Sequence, residues 1–293
     1  MLDPRDLYCI HHRCQQARGV FEEPFGGMNF LIFGDFKQLE PVGGISLARN
    51  DTTSVAPGVM EGFTLFELFK TVITLTEVRR QSDASQVRFR ETLERIRNCK
   101  ATHNDYRFLS TRIRGADLAY TEEFERGGYI YIVPTREKVN THNTNMLEEL
   151  ILNTQCRKLK LIARNSCAAA RSKPAETYRG LESEVMVAIG ARVMITNNIW
   201  TEMGLTNGAF GVVRHIIFAA NVGPPNLPEA IIVEMDEPYS GPSLPGLPRH
   251  VVITPISICD PDSMSNSREQ FPLALAWAIT ICKCQGTFQS ILF

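Results

Sequence analysis

The chain has 293 residues, of which 44% are hydrophobic and 22% are charged, and its formal net charge is −1. This length and composition are typical of a globular protein with two domains, or with one domain and a large insertion. The sequence has no run of roughly 18 apolar residues that would span a membrane, and its N-terminus lacks the apolar stretch of a secretory signal. We therefore expect an intracellular protein with no membrane partner.

The charges are unevenly distributed along the chain. Residues 79–114 carry ten Lys and Arg against four acids, and residues 156–180 carry seven against one, so each segment sums to +6. Residues 220–270 sum to −5, from seven acids and two arginines. This segregation predicts a face that binds a polyanion such as nucleic acid, although a solvated helix face is the commoner origin of any single basic run.

The N-terminal part begins with a helix and continues with a strand. An N-cap Asp and a first-turn Pro at residues 3–4 predict the start of an amphipathic helix, and Gly19 ends it. Residues 28–33 show no polar alternation, which predicts a strand buried on both faces in a parallel sheet. Helix and strand in this order indicate an α/β fold.

A polar stretch, GDFKQLEPVGG, follows this strand at residues 34–44. It is either a surface turn or a ligand site, because open α/β sheets bind ligands beyond the carboxyl ends of their strands. In the second case Asp35 and Gln38 would face the ligand.

A second helix is predicted from about residue 82 to residue 98. Ser82 and Asp83 are suitable caps, and the arginines fall opposite the core stripe. That stripe consists of Phe89, Leu93 and Ile96.

A third helix follows the short apolar strand 129–133 and begins at the cap residue Thr135. Its core face is formed by Val139, Asn143, Met146 and Leu150. Thr135 and Arg136 are thereby delivered to a helix start, where free N–H groups and the helix dipole favour an anion.

The C-terminal third is rich in β-strands. Residues 191–196, 210–218 and 230–234 read as strands separated by Pro and Gly turns, which predicts a small β module inserted into the α/β frame. An apolar strand over 273–281 then ends in another polar cluster. Residues 163–180 are the most loop-like part of the chain, and we expect mobility there.

The eight cysteines include neither a Cys-x-x-Cys pair nor a paired Cys/His spacing. This pattern predicts reduced, mostly buried thiols and no metal site. The adjacent His11 and His12 lie near Cys9 and Cys14, but on a helix such neighbours point in different directions.

Five segments, in this order, resemble those of the PIF-family DNA helicases, the 5′-to-3′ branch of helicase superfamily 1 that includes the helicases of Helitron transposons. They are "FGG…GDFKQLEPV", "LTEVRRQSD" with the helix behind it, "VPT" with Val139 and Asn140, "GARVM…LTNGAFG", and "PLALAWAITICKCQG". The five segments span nearly the whole chain.

The resemblance implies incomplete RecA-like parallel-sheet domains with an inserted, small barrel-like (SH3-like) module. The corresponding division is 1–72 for the end of the first RecA-like domain, 73–192 and 271–293 for parts of the second, and 193–270 for the inserted module. It further implies ATP and Mg²⁺ as cofactors, single-stranded DNA as the partner, roles in DNA repair and recombination, and a nuclear or mitochondrial location.

The resemblance also assigns roles to residues. Gln38 and Arg80 would be catalytic, Gln38 as the γ-phosphate sensor and Arg80 as the charge-stabilising arginine. The nucleotide would be bound by Gly34, Asp35, Gln38, Arg80 and Gly286. The single strand would be bound by Thr135, Asn140, Asn207, Lys283 and Gln285, whose donors hold phosphates without reading sequence.

The departures from the family pattern are equally specific. The sequence contains no Gly-Lys-Ser/Thr phosphate loop. The metal-binding Asp-Glu pair expected before the first helix and the terminal arginine segment expected after Gly286 are not found at those places. Cys282 and Cys284 replace a histidine and a serine. We therefore expect a truncated helicase core that lacks its N-terminal ATP-binding half and has negligible ATPase activity. The alternatives are a non-catalytic single-strand-binding module and an unstable remnant with exposed sheet edges.

Overall fold

The computed structural model describes residues 2–41, 43–49, 56–77, 86–111, 129–236 and 239–284. By internal contacts the chain divides into two units, Met1–Ala119 (unit one) and Tyr120–Phe293 (unit two). The predicted four-part division at residues 72, 192 and 270 stays a prediction.

The regular elements described in unit one are helices. Its helices are α1 (Pro4–Arg18), α2 (Val59–Phe66), α3 (Val87–Arg97) and α4 (His103–Ser110). As predicted, Asp3 caps α1, accepting from the Asp6 N–H at 2.8 Å, and Gly19 ends it with a φ of 65°. Leu7 on α1 and Leu65 on α2 share a small core with Phe25. The two helices cross closely, because a Cβ built on Gly62 would lie 1.9 Å from the Pro4 carbonyl oxygen.

The predicted buried strand at 28–33 is wrong. These residues form no strand, and Leu31 and Phe33 are 80% and 83% exposed. Unit one has no described strand with which their N–H and C=O groups could pair. Apolar side chains alone do not make a strand, because a strand requires a partner for its ladder.

The core stripe predicted for the second helix is also wrong. Leu93 and Ile96 are exposed, whereas Thr92 is the buried residue of α3. The reason is a polar contact: the Thr92 hydroxyl donates to the Asp105 carboxylate of α4 at 3.1 Å. The predicted cap at residues 82–83 lies outside the described residues.

Unit two contains twelve described strands and three described α-helices. The helices are α5 (Arg136–Thr154), α6 (Ala168–Ser172) and α7 (Ile281–Cys284). The strands are β1 (Tyr131–Val133), β2 (Leu159–Ile162), β3 (Arg164–Asn165), β4 (Glu184–Val187), β5 (Arg192–Ile195), β6 (Phe210–Ile217), β7 (Ala230–Met235), β8 (His250–Ile253), β9 (Ile256–Asp260), β10 (Ser263–Gln270), β11 (Leu273–Leu275) and β12 (Ala278–Thr280).

The parallel part of unit two is the pair β1–β12, with Val133 opposite Thr280. Helix α5 is fastened to it by the buried Asn143. The Asn143 amide donates to the carbonyls of Leu275 and Ala278 at 2.9 and 3.2 Å, and its oxygen accepts from the Ala278 N–H at 2.7 Å. The predicted strand, cap and core face of this helix are thereby confirmed.

The antiparallel part is larger. Five strands pair in the order β11-β5-β6-β7-β8, three in the order β3-β10-β9, and β2 pairs with β4. Their inward-facing Val, Leu and Ile side chains form one core, which includes Val213, Ile231 and Val233. The β-rich character of this region is confirmed, so the fold is mixed α/β. The SH3-like identity of the module stays a prediction.

The single strand predicted over 273–281 is wrong in one respect. Residues 273–275 pair with β5 antiparallel, whereas residues 278–280 pair with β1 parallel. Between them the buried Ala276 donates its N–H to the Arg192 carbonyl at 2.9 Å. An uninterrupted apolar run cannot reveal such a change of sheet, because both halves are buried.

Residues 163–180 are more ordered than their composition suggests. They contain β3, α6 and a 3₁₀ helix (Ala175–Tyr178). The fully buried Arg268 of β10 organises them: its guanidinium donates to the carbonyls of Ala170 and Lys173 and lies 4.5 Å from the ring centre of Tyr178. The prediction of a loop is therefore corrected.

Candidate nucleic-acid interface

The parallel pairing of β1 and β12 brings two predicted site residues to one edge of the sheet. Both strands end there, and Thr135 follows β1 while Lys283 follows β12 in α7. Thr135 caps α5 by accepting from the Lys138 N–H at 3.3 Å. Thr135 and Arg136 therefore stand at the helix start, where an anion is favoured.

Lys283 is exposed and lies in an electropositive environment. Partial desolvation of its ammonium group, and secondly the positive charge of Arg136, lower the pKa of Lys283, while Glu182 opposes this effect. Two cations that destabilise each other's charge attract an anion, because the anion relieves their repulsion.

Arg136 is held by Glu176. The Arg136 Nη1 lies 2.7 Å from the Glu176 Oε1, and both side chains are exposed. The hydrogen bond from Arg136 lowers the pKa of Glu176, and the same contact raises the pKa of Arg136. Arg136 is thus oriented and charged, and its exposed ion pair is weak enough to open for another anion.

A series of contacts runs from Glu176 to the predicted residue Asn207. Arg179 follows Glu176 at the end of the 3₁₀ helix, and its carbonyl accepts from the Asn197 amide at 3.1 Å. The Asn198 side chain, next along the chain, accepts from the Asn207 N–H at 2.9 Å. We call the surface traced by these contacts the strand-end surface. Its members are Thr135, Arg136, Glu176, Arg179, Asn197, Asn198, Asn207 and Lys283.

Two further predicted strand-binding residues have different outcomes. Asn140 is exposed on α5 one turn after Arg136, beside the strand-end surface. Gln285 lies outside the described residues, as does Gly286 of the predicted nucleotide site.

Much of the positive charge counted along the chain is neutralised locally. Arg95 and Arg97 pair with Asp105 and Asp35 at 2.6 and 2.9 Å. In the second basic segment four of the seven cations also have carboxylate partners, in the pairs Lys158–Glu148, Lys160–Glu184, Arg164–Glu269 and Lys173–Asp260. The charge sums therefore overstate the positive charge open to a polyanion, and the strand-end surface is a narrower candidate than a whole basic face.

The described residues of the predicted nucleotide site, Gly34, Asp35 and Gln38, lie in unit one, and this segment contacts α3. Asp35 accepts from the Gln38 amide at 3.3 Å, and it is paired with Arg97. Lys37 donates to Asn98, at the end of the same helix. Gly34 has open space around the position of a side chain. Arg80 lies outside the described residues.

Sequence reasoning missed two residues that hold predicted site residues in place, one in each unit. Glu176 is the single acid of a basic segment, and that isolation was the available signal of a specific role. The partnership of Arg97 with Asp35 spans 62 positions, and the sequence offers no signal for it.

Two kinds of feature are absent from the described residues. They contain no group of three His, Cys, Asp or Glu side chains that could hold a metal ion. In the same parts of the chain no helix has the length and apolar character needed to cross a bilayer.

Unit two combines a parallel strand pair covered by a capped helix with an antiparallel β region, and polar side chains follow both parallel strands. This arrangement defines a mixed α/β protein with polar side chains at one edge of its parallel strand pair. No family model matches the chain.

The curated relatives that the chain matches are PIF1-type helicases. It is 28% identical over 272 residues to the ATP-dependent DNA helicase PIF1 of Xenopus laevis, covering 90% of this chain and 36% of that protein. It is 26% identical to PIF6 of Trypanosoma brucei, covering 97% of this chain and 35% of that protein. The chain thus spans little more than a third of the length of these relatives.

Solved structures agree in fold. The crystal structure of Pif1 from Candida albicans has a TM-score of 0.72 at 22% identity, covering all of this chain and 64% of that one. Bacteroides Pif1 bound to single-stranded DNA has a TM-score of 0.59 at 22% identity, covering all of this chain and 62% of that one. The resemblance to the PIF-type helicases of superfamily 1B and the RecA-like fold are confirmed.

Proposed function

We propose that this chain is part of a PIF-type ATP-dependent 5′-to-3′ DNA helicase and that its strand-end surface binds the phosphates of single-stranded DNA. The observation that carries the proposal is the parallel pairing of β1 and β12, which brings Thr135 and Lys283 to one edge. The contacts Arg136–Glu176, Asn197–Arg179 and Asn198–Asn207 extend this edge to Asn207. The nuclear or mitochondrial location implied by the resemblance belongs to the same proposal.

The chemistry of the surface fits a phosphate backbone better than a base. The Thr135 hydroxyl, the Asn207 amide and the Lys283 ammonium group are donors of the kind that hold phosphate oxygens. Arg136 supplies a forked cation, which a phosphate takes over from Glu176 at little cost because that ion pair is exposed. Such contacts bind single strands without sequence preference.

The residues described around Gln38 do not by themselves fit ATP. Asp35 accepts from Gln38 and is paired with Arg97, so the charge of this arginine is already engaged by a carboxylate. The sequence also lacks the Gly-Lys-Ser/Thr loop that cradles phosphates and magnesium. We therefore derive no hydrolysis step and expect negligible ATPase activity from this polypeptide alone.

Removing either charge of the Arg136–Glu176 ion pair tests the binding proposal, because the two variants should change affinity in opposite directions. Fluorescence anisotropy with a labelled oligo(dT) measures affinity at several salt concentrations. Arg136→Ala should weaken binding and reduce the slope of log K against log salt by about 0.7, the value for one lost phosphate contact on a single strand. Glu176→Gln should strengthen binding, because it removes the carboxylate that competes with phosphate.

Arg164→Ala is the matched control, because Arg164 also has a carboxylate partner, Glu269 on β10, but is not a member of the strand-end surface. We expect its affinity to stay within about twofold of the parent chain. Equal losses in Arg136→Ala and Arg164→Ala would show that only net charge matters and would refute the assigned surface.

The absent phosphate loop favours one alternative, a non-catalytic single-strand-binding module. A fusion distinguishes the two: the chain is joined behind a phosphate-loop domain of a PIF-type helicase, and DNA-stimulated phosphate release is measured. The helicase proposal predicts turnover that Gln38→Ala abolishes. The binding-module alternative predicts DNA binding with no turnover in either fusion.

A further inference from the structure

The loop that connects β5 to β6, residues 196–209, presents an exposed tryptophan beside the strand-end surface. Trp200 is 42% exposed, whereas the second tryptophan, Trp277, is 8% exposed. Within the described part of the chain the indole of Trp200 makes no ring contact and no hydrogen bond that would explain its exposed position. Single exposed apolar residues are common, so exposure alone carries no conclusion.

The backbone of Trp200 is held rigidly. Its N–H donates to the Leu205 carbonyl at 3.1 Å, and its carbonyl accepts from the Leu205 N–H at 3.0 Å. Leu205 is buried in the core of the antiparallel sheet, and Gly204, with a φ of 89°, makes the tight turn between them. The large ring is thus presented to solvent from a fixed support, so little backbone order has to be gained when a ligand binds.

Its position relative to polar donors is the second observation. Asn197 and Asn198, which contact Arg179 and Asn207, precede Trp200 by three and two residues. The loop carries one charge, that of the exposed Glu202. A nearly uncharged aromatic tip therefore adjoins a surface of amides and cations.

We infer that Trp200 is a base-stacking residue for a single strand whose phosphates lie on the strand-end surface. The inference rests on the proposed function and adds to it the contact with the bases. An aromatic face accepts any base, so the pairing of a stacking ring with phosphate donors suits single strands of any sequence. Duplex DNA would not be a ligand for this residue, because its bases are already stacked.

Intrinsic fluorescence gives a direct readout, because the chain has two tryptophans and only Trp200 is exposed. Unlabelled oligo(dT) should quench the fluorescence of the full chain. In Trp200→Phe the remaining signal comes from the buried Trp277 and should not be quenched. That variant retains an aromatic ring, so anisotropy should show it binding better than Trp200→Ala.

Trp200→Ala should lose about 5-fold to 150-fold in affinity for oligo(dT), the range that corresponds to one stacked base. The matched control is Tyr106→Ala, which removes an exposed ring from unit one (67% exposed) and should change affinity less than twofold. Far-UV circular dichroism checks that each variant is folded.

The outcomes separate the inference from the proposed function. Oligo(dT) binding with no quenching and unchanged affinity in Trp200→Ala would refute stacking and leave phosphate binding in place. Equal losses in Trp200→Ala and Tyr106→Ala would also refute it. Absence of any binding by the parent chain would overturn both the inference and the proposed function.

Discussion

Asp105 shows how a single buried carboxylate can hold two helices together. It accepts hydrogen bonds from Arg95 and Thr92 on α3, and from the backbone and hydroxyl of Thr102 at the start of α4. The Arg95 hydrogen bond, followed by those from Thr102, holds the pKa of Asp105 well below its usual range. The charged form is therefore the one that stabilises unit one.

Acidification should weaken this cluster. An unfolded Asp titrates near a pKa of about 3.9. Because the folded pKa is lower, the stabilisation is fully present above about pH 5 and is lost as the pH falls through the folded value. Circular dichroism melts between pH 6 and pH 2 should show this loss in the parent chain, and a flatter dependence in Asp105→Asn.

Asp105→Asn should also lower the melting temperature of unit one at pH 7, because an amide cannot accept from both Arg95 and Thr102 as a carboxylate does. Glu91→Gln is the control, since Glu91 contacts the same Arg95 at a longer 3.7 Å from an exposed position. Equal melting temperatures for Asp105→Asn and the parent chain would contradict the assigned role.

At the scale of elements, α5 is held against the sheet by one side chain, which makes the backbone hydrogen bonds that a neighbouring strand would make. The amide of Asn143 satisfies backbone groups of Leu275 and Ala278 at the point where the chain passes from β11 to β12. Local signals were sufficient to predict α5 and β1, because a Thr cap and an apolar face are properties of neighbouring residues. The polar function of Asn143 within that face was not predictable, because its partners lie more than 130 positions away.

Asn143→Ala should cost about 2–3 kcal/mol in the unfolding of unit two, since it leaves buried backbone groups without partners. Urea denaturation followed by tryptophan fluorescence measures this, because both tryptophans belong to unit two. Asn145→Ala, on the exposed side of the same helix, should change stability by less than about 0.5 kcal/mol. A small effect at both positions would show that α5 is held by apolar packing alone.

At the scale of the whole molecule, the two errors of strand prediction share one cause. The apolar residues 28–33 and 273–280 read equally well as buried strands, yet the former have no described partner and the latter serve two sheets. Strand pairing depends on residues that are distant along the chain. A single sequence therefore indicates the tendency of a segment to form a strand but does not identify the strand with which it pairs. The same holds for the site: the strand ends at Thr135 and Lys283 were predictable, whereas the links through Glu176 and Asn197 were not.

The two units should respond separately to a substitution in one of them. Gly62→Ala places a methyl group within 1.9 Å of the Pro4 carbonyl oxygen, so α1 and α2 must move apart at a cost of about 1–3 kcal/mol. The unfolding transition of unit one, seen by circular dichroism, should shift. The tryptophan fluorescence transition, which reports unit two, should not.

Gly19→Ala is the matched control, because Gly19 has a positive φ but no atom within 4 Å of the added methyl group. It should cost only the backbone strain of about 1 kcal/mol. If Gly62→Ala shifted both transitions together, the division into independently stable units would be refuted.

The passage from β11 to β12 has a mechanical consequence. Only Ala276 and Trp277 separate the two strands, and both are packed in the interior. The connection is therefore too short to absorb a relative movement of β11 and β12, so a displacement of one strand displaces the other. A force applied at Lys283 would therefore be transmitted through this short connection to the antiparallel sheet, and the sheet would move together with the strand-end surface.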